Sequence, residues 1–124
     1  SLELVALAAG VDVFSPTTAS NNSRVLDLCC GCGIQGIFTA KRSRSWVDSS
    51  ISCELLSMDI NPRACQFVCA NAVLNDLVSE DNTIFSIEAD LFTPLQLHHE
   101  VEGVQPDNFI GKVDMILSNP PFVA

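Results

Sequence analysis

Apolar and polar positions along this chain switch repeatedly between the short runs of buried strands and the spacing of helices. Val25, Leu26 and Leu28 form an apolar run in RVLDL, which predicts a first strand over about Arg24 to Leu28. Glycines 31, 33 and 36 follow, and helical spacing returns over about Ile34 to Arg42, with Ile34, Ile37, Phe38 and Lys41 on one face. Ser43 to Ser52 reads as a polar connection anchored by Trp46. A second strand is predicted over Cys53 to Asp59. Asn61 and Pro62 then open a helix reaching about Asn75, with Asn as N-cap and Pro in the first turn. Thr83 to Glu88 predicts a third strand and Lys112 to Ser118 a fourth. Ahead of these lie a short apolar helical stretch, Leu2 to Ala9, and a Ser/Thr/Asn-rich loop, Val11 to Ser23. Pro94 to Asn108 is irregular and acidic.

Strands alternating with helices make βαβ units, and therefore an α/β fold with a doubly wound parallel sheet and right-handed crossovers. Residues 1–23 form an N-terminal helix and loop ahead of a domain over 24–124. Asp27, Asp59, Asp90 and Asn119 each fall at or just beyond the C-terminal end of a successive strand. Ligands of open α/β sheets bind in the crevice outside those ends. Four polar residues are thus delivered to one rim.

Composition narrows the possibilities. The 124 residues carry 15 acids and 6 bases, a formal charge of −9, which is a poor footprint for gripping nucleic acid. Lys41, Arg42 and Arg44 cluster where they would complement a helix C-terminus. Acidic or polar residues interrupt every apolar run before it reaches the length of a membrane span, so no membrane partner is expected. The six cysteines lack the paired CxxC spacing of a zinc site, and the α/β pattern is unlike a disulfide scaffold. They read as free thiols in a reducing compartment, and no signal peptide is visible. An intracellular, cytoplasmic protein without a metal is expected.

The strand, glycine turn and helix at Arg24 to Gly36 let backbone approach a ligand closely and aim helix amides at it, which points to an adenosine-bearing cofactor. Gly31-x-Gly33-x-x-Gly36 matches a dinucleotide fingerprint, with Asp59 at the usual distance for a ribose-binding acid. A nicotinamide oxidoreductase is therefore one reading. Two features oppose it. Asp27 at the end of the first strand would repel a pyrophosphate and suits a cationic group instead. Asn119-Pro120-Pro121-Phe122 has no task in binding NAD.

In these motifs the sequence resembles the Rossmann-like, class I S-adenosylmethionine-dependent methyltransferases, in the "methyltransferase small" or NPPF-type N-methyltransferase branch. DLCCGCG at 27–33 is similar to the family's acid-and-glycine motif, and MDINPRA at 58–64 to its second strand and ribose acid. EADLF at 88–92 is similar to its adenine-site motif, and NPPF at 119–122 to its catalytic motif. Cys29 stands where the family has its first glycine. The resemblance implies S-adenosylmethionine as cofactor. Asp27 would lie near its amino group, directly or through water, with Cys29, Gly31 and Gly33 forming the turn beneath it. Asp59 would take the ribose hydroxyls, Asp90 and the Leu91 amide the adenine edge, and Ile60 and Leu91 the adenine faces. The family's sheet has more strands, so the chain reads as truncated after the fourth, with an exposed edge open to self-association.

Methyl transfer to an amide or base nitrogen needs its delocalised lone pair turned toward the methyl group. The Asn119 side-chain oxygen and the Pro120 carbonyl are placed to accept the two N–H groups, Pro120 and Pro121 hold the backbone rigid, and Phe122 offers a face for stacking. The expected function is N-methyl transfer by direct in-line attack, onto a protein glutamine or a nucleic-acid base. The alternatives are the NAD-dependent oxidoreductase and a catalytically inactive cofactor-binding module.

Overall fold

A computed structural model of the chain describes residues 22–46, 52–78, 82–91, 109 and 111–121. The expected helix at Leu2 to Ala9, nearly all of the loop at Val11 to Ser23, the irregular stretch at 94–108 and Phe122 lie outside the described residues.

Four strands form one all-parallel sheet: β1 (Asn22–Leu28), β2 (Ser52–Asp59), β3 (Asn82–Glu88) and β4 (Met115–Ser118), in the order β3-β2-β1-β4. From β1 the chain steps outward through β2 to β3, then returns to the other side of β1 for β4. The order reverses between β1 and β4, and that reversal opens the crevice used by doubly wound sheets. The α/β parallel architecture is therefore as expected. Strand β4 starts three residues later than predicted, because the Lys112 N–H turns back to the Phe109 carbonyl at 3.1 Å beside Gly111, whose φ is +69°. Asp114 then fixes the entry to β4: its carboxylate accepts the Arg24 N–H at 2.8 Å, and its own N–H donates to the Arg24 carbonyl at 2.9 Å.

Both faces of the central strands are buried, as their continuous apolar runs require. Val25, Leu55 and Leu117 face one way, into a core shared with Ile37, Ala40, Val68 and Ala72. Leu26, Leu28, Leu56 and Met58 face the other way and pack with Ile87 and Phe109. The two described helices, α1 (Ile34–Trp46) and α2 (Pro62–Leu74), both supply residues to the first core.

Helix α1 differs from expectation in two ways. It continues to Trp46 instead of ending at Arg42, since Ser43, Arg44 and Ser45 include neither Gly nor Pro to stop it. Its face is also different. Ile37 and Ala40 are buried together with the polar Gln35 and Thr39, while Ile34 and Phe38 are about 40% exposed and Lys41 is exposed. The cause is Gly36. A Cβ there would lie 2.8 Å from Leu55 Cδ1, so the helix axis sits closer to the sheet than a side chain would permit. The Thr39 hydroxyl satisfies itself by donating to the Gln35 carbonyl at 2.8 Å.

Helix α2 starts as predicted. The Asn61 side chain accepts the Arg63 N–H at 3.0 Å, and Pro62 follows at the first position. Ala64, Val68 and Ala72 form its buried stripe, while Phe67 and Val73 point outward. It closes on Asp76 at φ +56°, where the Leu77 N–H reaches back to the Ala72 carbonyl at 3.0 Å and drives Leu77 into the core.

Candidate functional site

The carboxyl ends of the strands frame a cleft of about 640 Å³. Cys29 and Gly31 come from the turn after β1, Met58, Asp59 and Ile60 from the end of β2, and Ala89, Asp90 and Leu91 from the end of β3. Asn119, Pro120 and Pro121 complete the wall after β4. Nine residues singled out from the sequence therefore share one wall: Cys29, Gly31, Asp59, Ile60, Asp90, Leu91, Asn119, Pro120 and Pro121. Three others are not described there. Asp27 and Gly33 are buried and do not line the cleft, and Phe122 is outside the described residues.

The turn is built from left-handed residues: Cys29 at φ +53°, Gly31 at +56° and Gly33 at +79°. Two of these conformations are met by glycine, which has no Cβ to clash. At Gly31 an added Cβ would meet nothing within 4 Å, so the backbone there is bare toward the cleft. At Gly33 it would lie 2.8 Å from Val68 Cγ2, so this glycine serves packing against α2.

Asp59 ties the turn to the end of β2. Its Oδ2 accepts the Gly31 N–H at 2.9 Å and its Oδ1 the Asn61 N–H at 2.9 Å, while its carbonyl accepts the Ala89 N–H at 2.9 Å. The carboxylate thus ties the turn after β1 to the end of β2, the backbone carbonyl of the same residue adds the end of β3, and the side chain remains half-buried at the cleft wall. The neighbouring Cys30 N–H donates to the Met58 carbonyl at 3.1 Å, extending the β1–β2 ladder into the turn.

Asp27 is wholly buried. Its Oδ2 accepts the Gly36 N–H at 3.0 Å, and its Oδ1 has no hydrogen-bond partner among the described residues. Burial pushes its carboxyl up to about 7; the Gly36 amide opposes this and the nearby Asp59 charge adds to it. Burial also raises the Cys29 and Cys30 thiols, with Asp27 and Asp59 reinforcing the effect, so both stay protonated at neutral pH. None of the six cysteines forms a disulfide, and the described residues contain no group of three His, Cys, Asp or Glu set to hold a metal ion.

The chemistry of the wall decides what fits it. Among the described residues it carries two carboxylates, those of Asp59 and Asp90, and no lysine or arginine. A ligand with a cationic centre and donor groups suits this wall, whereas a pyrophosphate would find no counter-charge. Ile60 and Leu91, 69% and 50% exposed, give the wall apolar surface. Two lining residues, Met58 and Ala89, escape sequence reasoning, because each is an ordinary strand-end apolar residue. Another contact is also invisible in the pattern: the Asn71 side-chain amide of α2 donates to the Cys32 carbonyl of the turn at 2.9 Å.

No family model matches the chain. It is 30% identical over 102 residues to a Methanocaldococcus jannaschii protein provisionally named a protein N5-glutamine methyltransferase. The match covers 82% of this chain and 38% of that protein, so the chain spans well under half of its relative's length. This chain is thus a distant relative of a methyltransferase. Among the described residues, no helix is long and apolar enough to cross a membrane.

Proposed function

We propose that this chain forms the cofactor-binding part of an S-adenosylmethionine-dependent N-methyltransferase whose acceptor is a glutamine side-chain amide of a protein. One observation carries the reading. Asp59, Asp90 and Asn119-Pro120-Pro121, from the ends of three different strands, meet the bare backbone of Gly31 around a single acidic cleft. The name of the distant relative favours glutamine over a nucleic-acid base, and the −9 charge points the same way.

The residues of the cleft divide the work. Asp59, already oriented by two backbone N–H groups, keeps acceptor capacity for a pair of hydroxyls, because a carboxylate has about four lone-pair sites. Asp90, which lines the cleft, would present an acceptor to an amino group, and Ile60 and Leu91 would pack against the ring that carries it. Gly31 lets the ligand lie on backbone. The bound cofactor supplies an electrophilic sulfonium methyl group. Asn119 and the Pro120 carbonyl accept the two N–H groups of the incoming amide and turn its nitrogen lone pair toward the cleft. Proline at 120 and 121 fixes φ, so the acceptors need little reorganisation. Positioning of this kind supplies roughly 7–11 kcal/mol in well-held reactants.

The test is calorimetric titration of the full-length protein with S-adenosylmethionine, S-adenosylhomocysteine and NAD, followed by methyl transfer to a glutamine-containing protein. Binding of the first two and not the third is expected, with transfer to glutamine lost in Asn119→Ala. Binding of NAD alone would establish the oxidoreductase instead.

A further inference from the structure

We infer that Asn71, on helix α2 and away from the cleft wall, is a positioning residue that holds the glycine turn in its ligand-ready shape. The turn's inner side is tied to the sheet through the Cys30 and Gly31 N–H groups, which donate to the Met58 carbonyl and to Asp59. Its outer side faces α2. There the Asn71 side-chain amide donates to the Cys32 carbonyl at 2.9 Å, across 39 residues of sequence.

Asn71 is itself held. Its carbonyl accepts the Asn75 side-chain amide at 2.8 Å, and the Asn75 side-chain oxygen accepts from Lys41 Nζ, midway along α1, at 3.1 Å. The result is a polar ladder from α1 through the last turn of α2 to the turn that begins α1. Three residues of that turn, Cys29, Gly31 and Gly33, sit at positive φ. Glycine there adds conformational freedom as well as fit, so the turn needs clamping from both sides to present Gly31 to the cleft. Asp59 clamps from within and Asn71 from without.

An ordinary interior helix residue would show none of this selectivity. Asn has modest helix propensity, so Asn71→Ala favours α2 and keeps the fold while removing the donor. Asn71→Asp keeps the size but sets an acceptor-only anion against the Cys32 carbonyl. The consequence for the turn is independent of ligand identity; the consequence for affinity rests on the proposed cofactor.

Hydrogen exchange on the full-length protein, wild type and both variants, tests the clamp without any ligand. The Gly31 and Gly33 amides are expected to exchange about three- to tenfold faster in Asn71→Ala, the range set by one lost hydrogen bond, and faster still in Asn71→Asp. The Ala64 amide at the start of α2 should not change. Unchanged turn amides, or equal acceleration at Ala64, would overturn the inference. Titration with S-adenosylmethionine should then show a dissociation constant three- to tenfold higher in Asn71→Ala. A wild-type protein that fails to bind would refute the proposed cofactor and leave the exchange result to decide on Asn71.

Discussion

Gly36 and Asp27 are fitted to each other at the resolution of a single carbon atom. The Gly36 N–H donates to Asp27 Oδ2 at 3.0 Å, and a Cβ on residue 36 would lie 2.8 Å from that same oxygen. The third glycine of the fingerprint therefore serves a helix–strand contact, while the first, Gly31, borders the cleft. Substitutions at the two should separate stability from binding. Gly36→Ala forces Asp27 and Leu55 to move and is expected to destabilise by about 1–3 kcal/mol, read as a fall in thermal midpoint. Gly31→Ala meets no neighbour and pays only for its positive φ, about 1 kcal/mol, but puts a methyl group where the ligand would lie. It should fold and lose S-adenosylmethionine affinity at least tenfold. Equal loss of stability in both variants would contradict this division.

Asp27 gives the fold a pH dependence with a definite sign. Its carboxyl titrates near 7 when folded, against an ordinary value of 3.8. Between those limits the folded state holds a proton that the unfolded chain has released, so stability falls as pH rises from about 4 to about 7. The shift corresponds to a difference of roughly 4 kcal/mol between the two ends. Asp27→Asn keeps an acceptor for Gly36 and removes the ionisation. Urea unfolding across pH 4 to 8 should show the variant gaining on wild type as pH rises. A constant difference between them would rule out Asp27 as the source.

The rim of the sheet was legible because strand ends are marked by chemistry: an acid closes the apolar runs of β1 and β2, one follows β3 at Asp90, and Asn-Pro-Pro closes β4. Such punctuation survives without knowledge of packing. What sequence could not show was depth. Asp27 and Asp59 look alike in the pattern, yet the first is sealed under α1 and the second stands in the cleft wall. The difference is set by Gly36, which draws α1 down over Asp27. The same approach keeps Ile37 of the expected face buried but replaces Ile34, Phe38 and Lys41 there with Gln35, Thr39 and Ala40. Asn71 was unreadable for another reason: its partner is a backbone carbonyl, which carries no residue identity.

Cys29 occupies a left-handed position, at φ +53°, where a side chain costs roughly 1–2 kcal/mol. Cys29→Gly removes that strain but loosens the unfolded chain by about 0.5–1 kcal/mol. The net effect expected is a stability equal to wild type or up to about 1 kcal/mol higher. Cys29→Val, β-branched at positive φ, should be destabilised by more than 1 kcal/mol. Chemical denaturation of the pair checks the ordering, and a stable valine variant would argue against a left-handed turn.

Asp59 should prove the most sensitive residue of the cleft, because it supports the turn as well as facing the ligand. Asp59→Ala orphans the Gly31 and Asn61 N–H groups together. Each is an amide bonded to a charged acceptor, worth about 1.5–3 kcal/mol. Water reaches this half-buried site and recovers part of that, so a stability loss of about 1–3 kcal/mol is expected. Affinity for S-adenosylmethionine should fall by more than a hundredfold, since the hydroxyl acceptor and the turn geometry go together. Asp59→Asn keeps one acceptor oxygen and cannot satisfy both amides, so it should fall between wild type and alanine in both measurements. If Asp59→Asn lowers affinity as much as alanine while leaving stability untouched, then the carboxylate acts on the ligand alone and the turn stands without it.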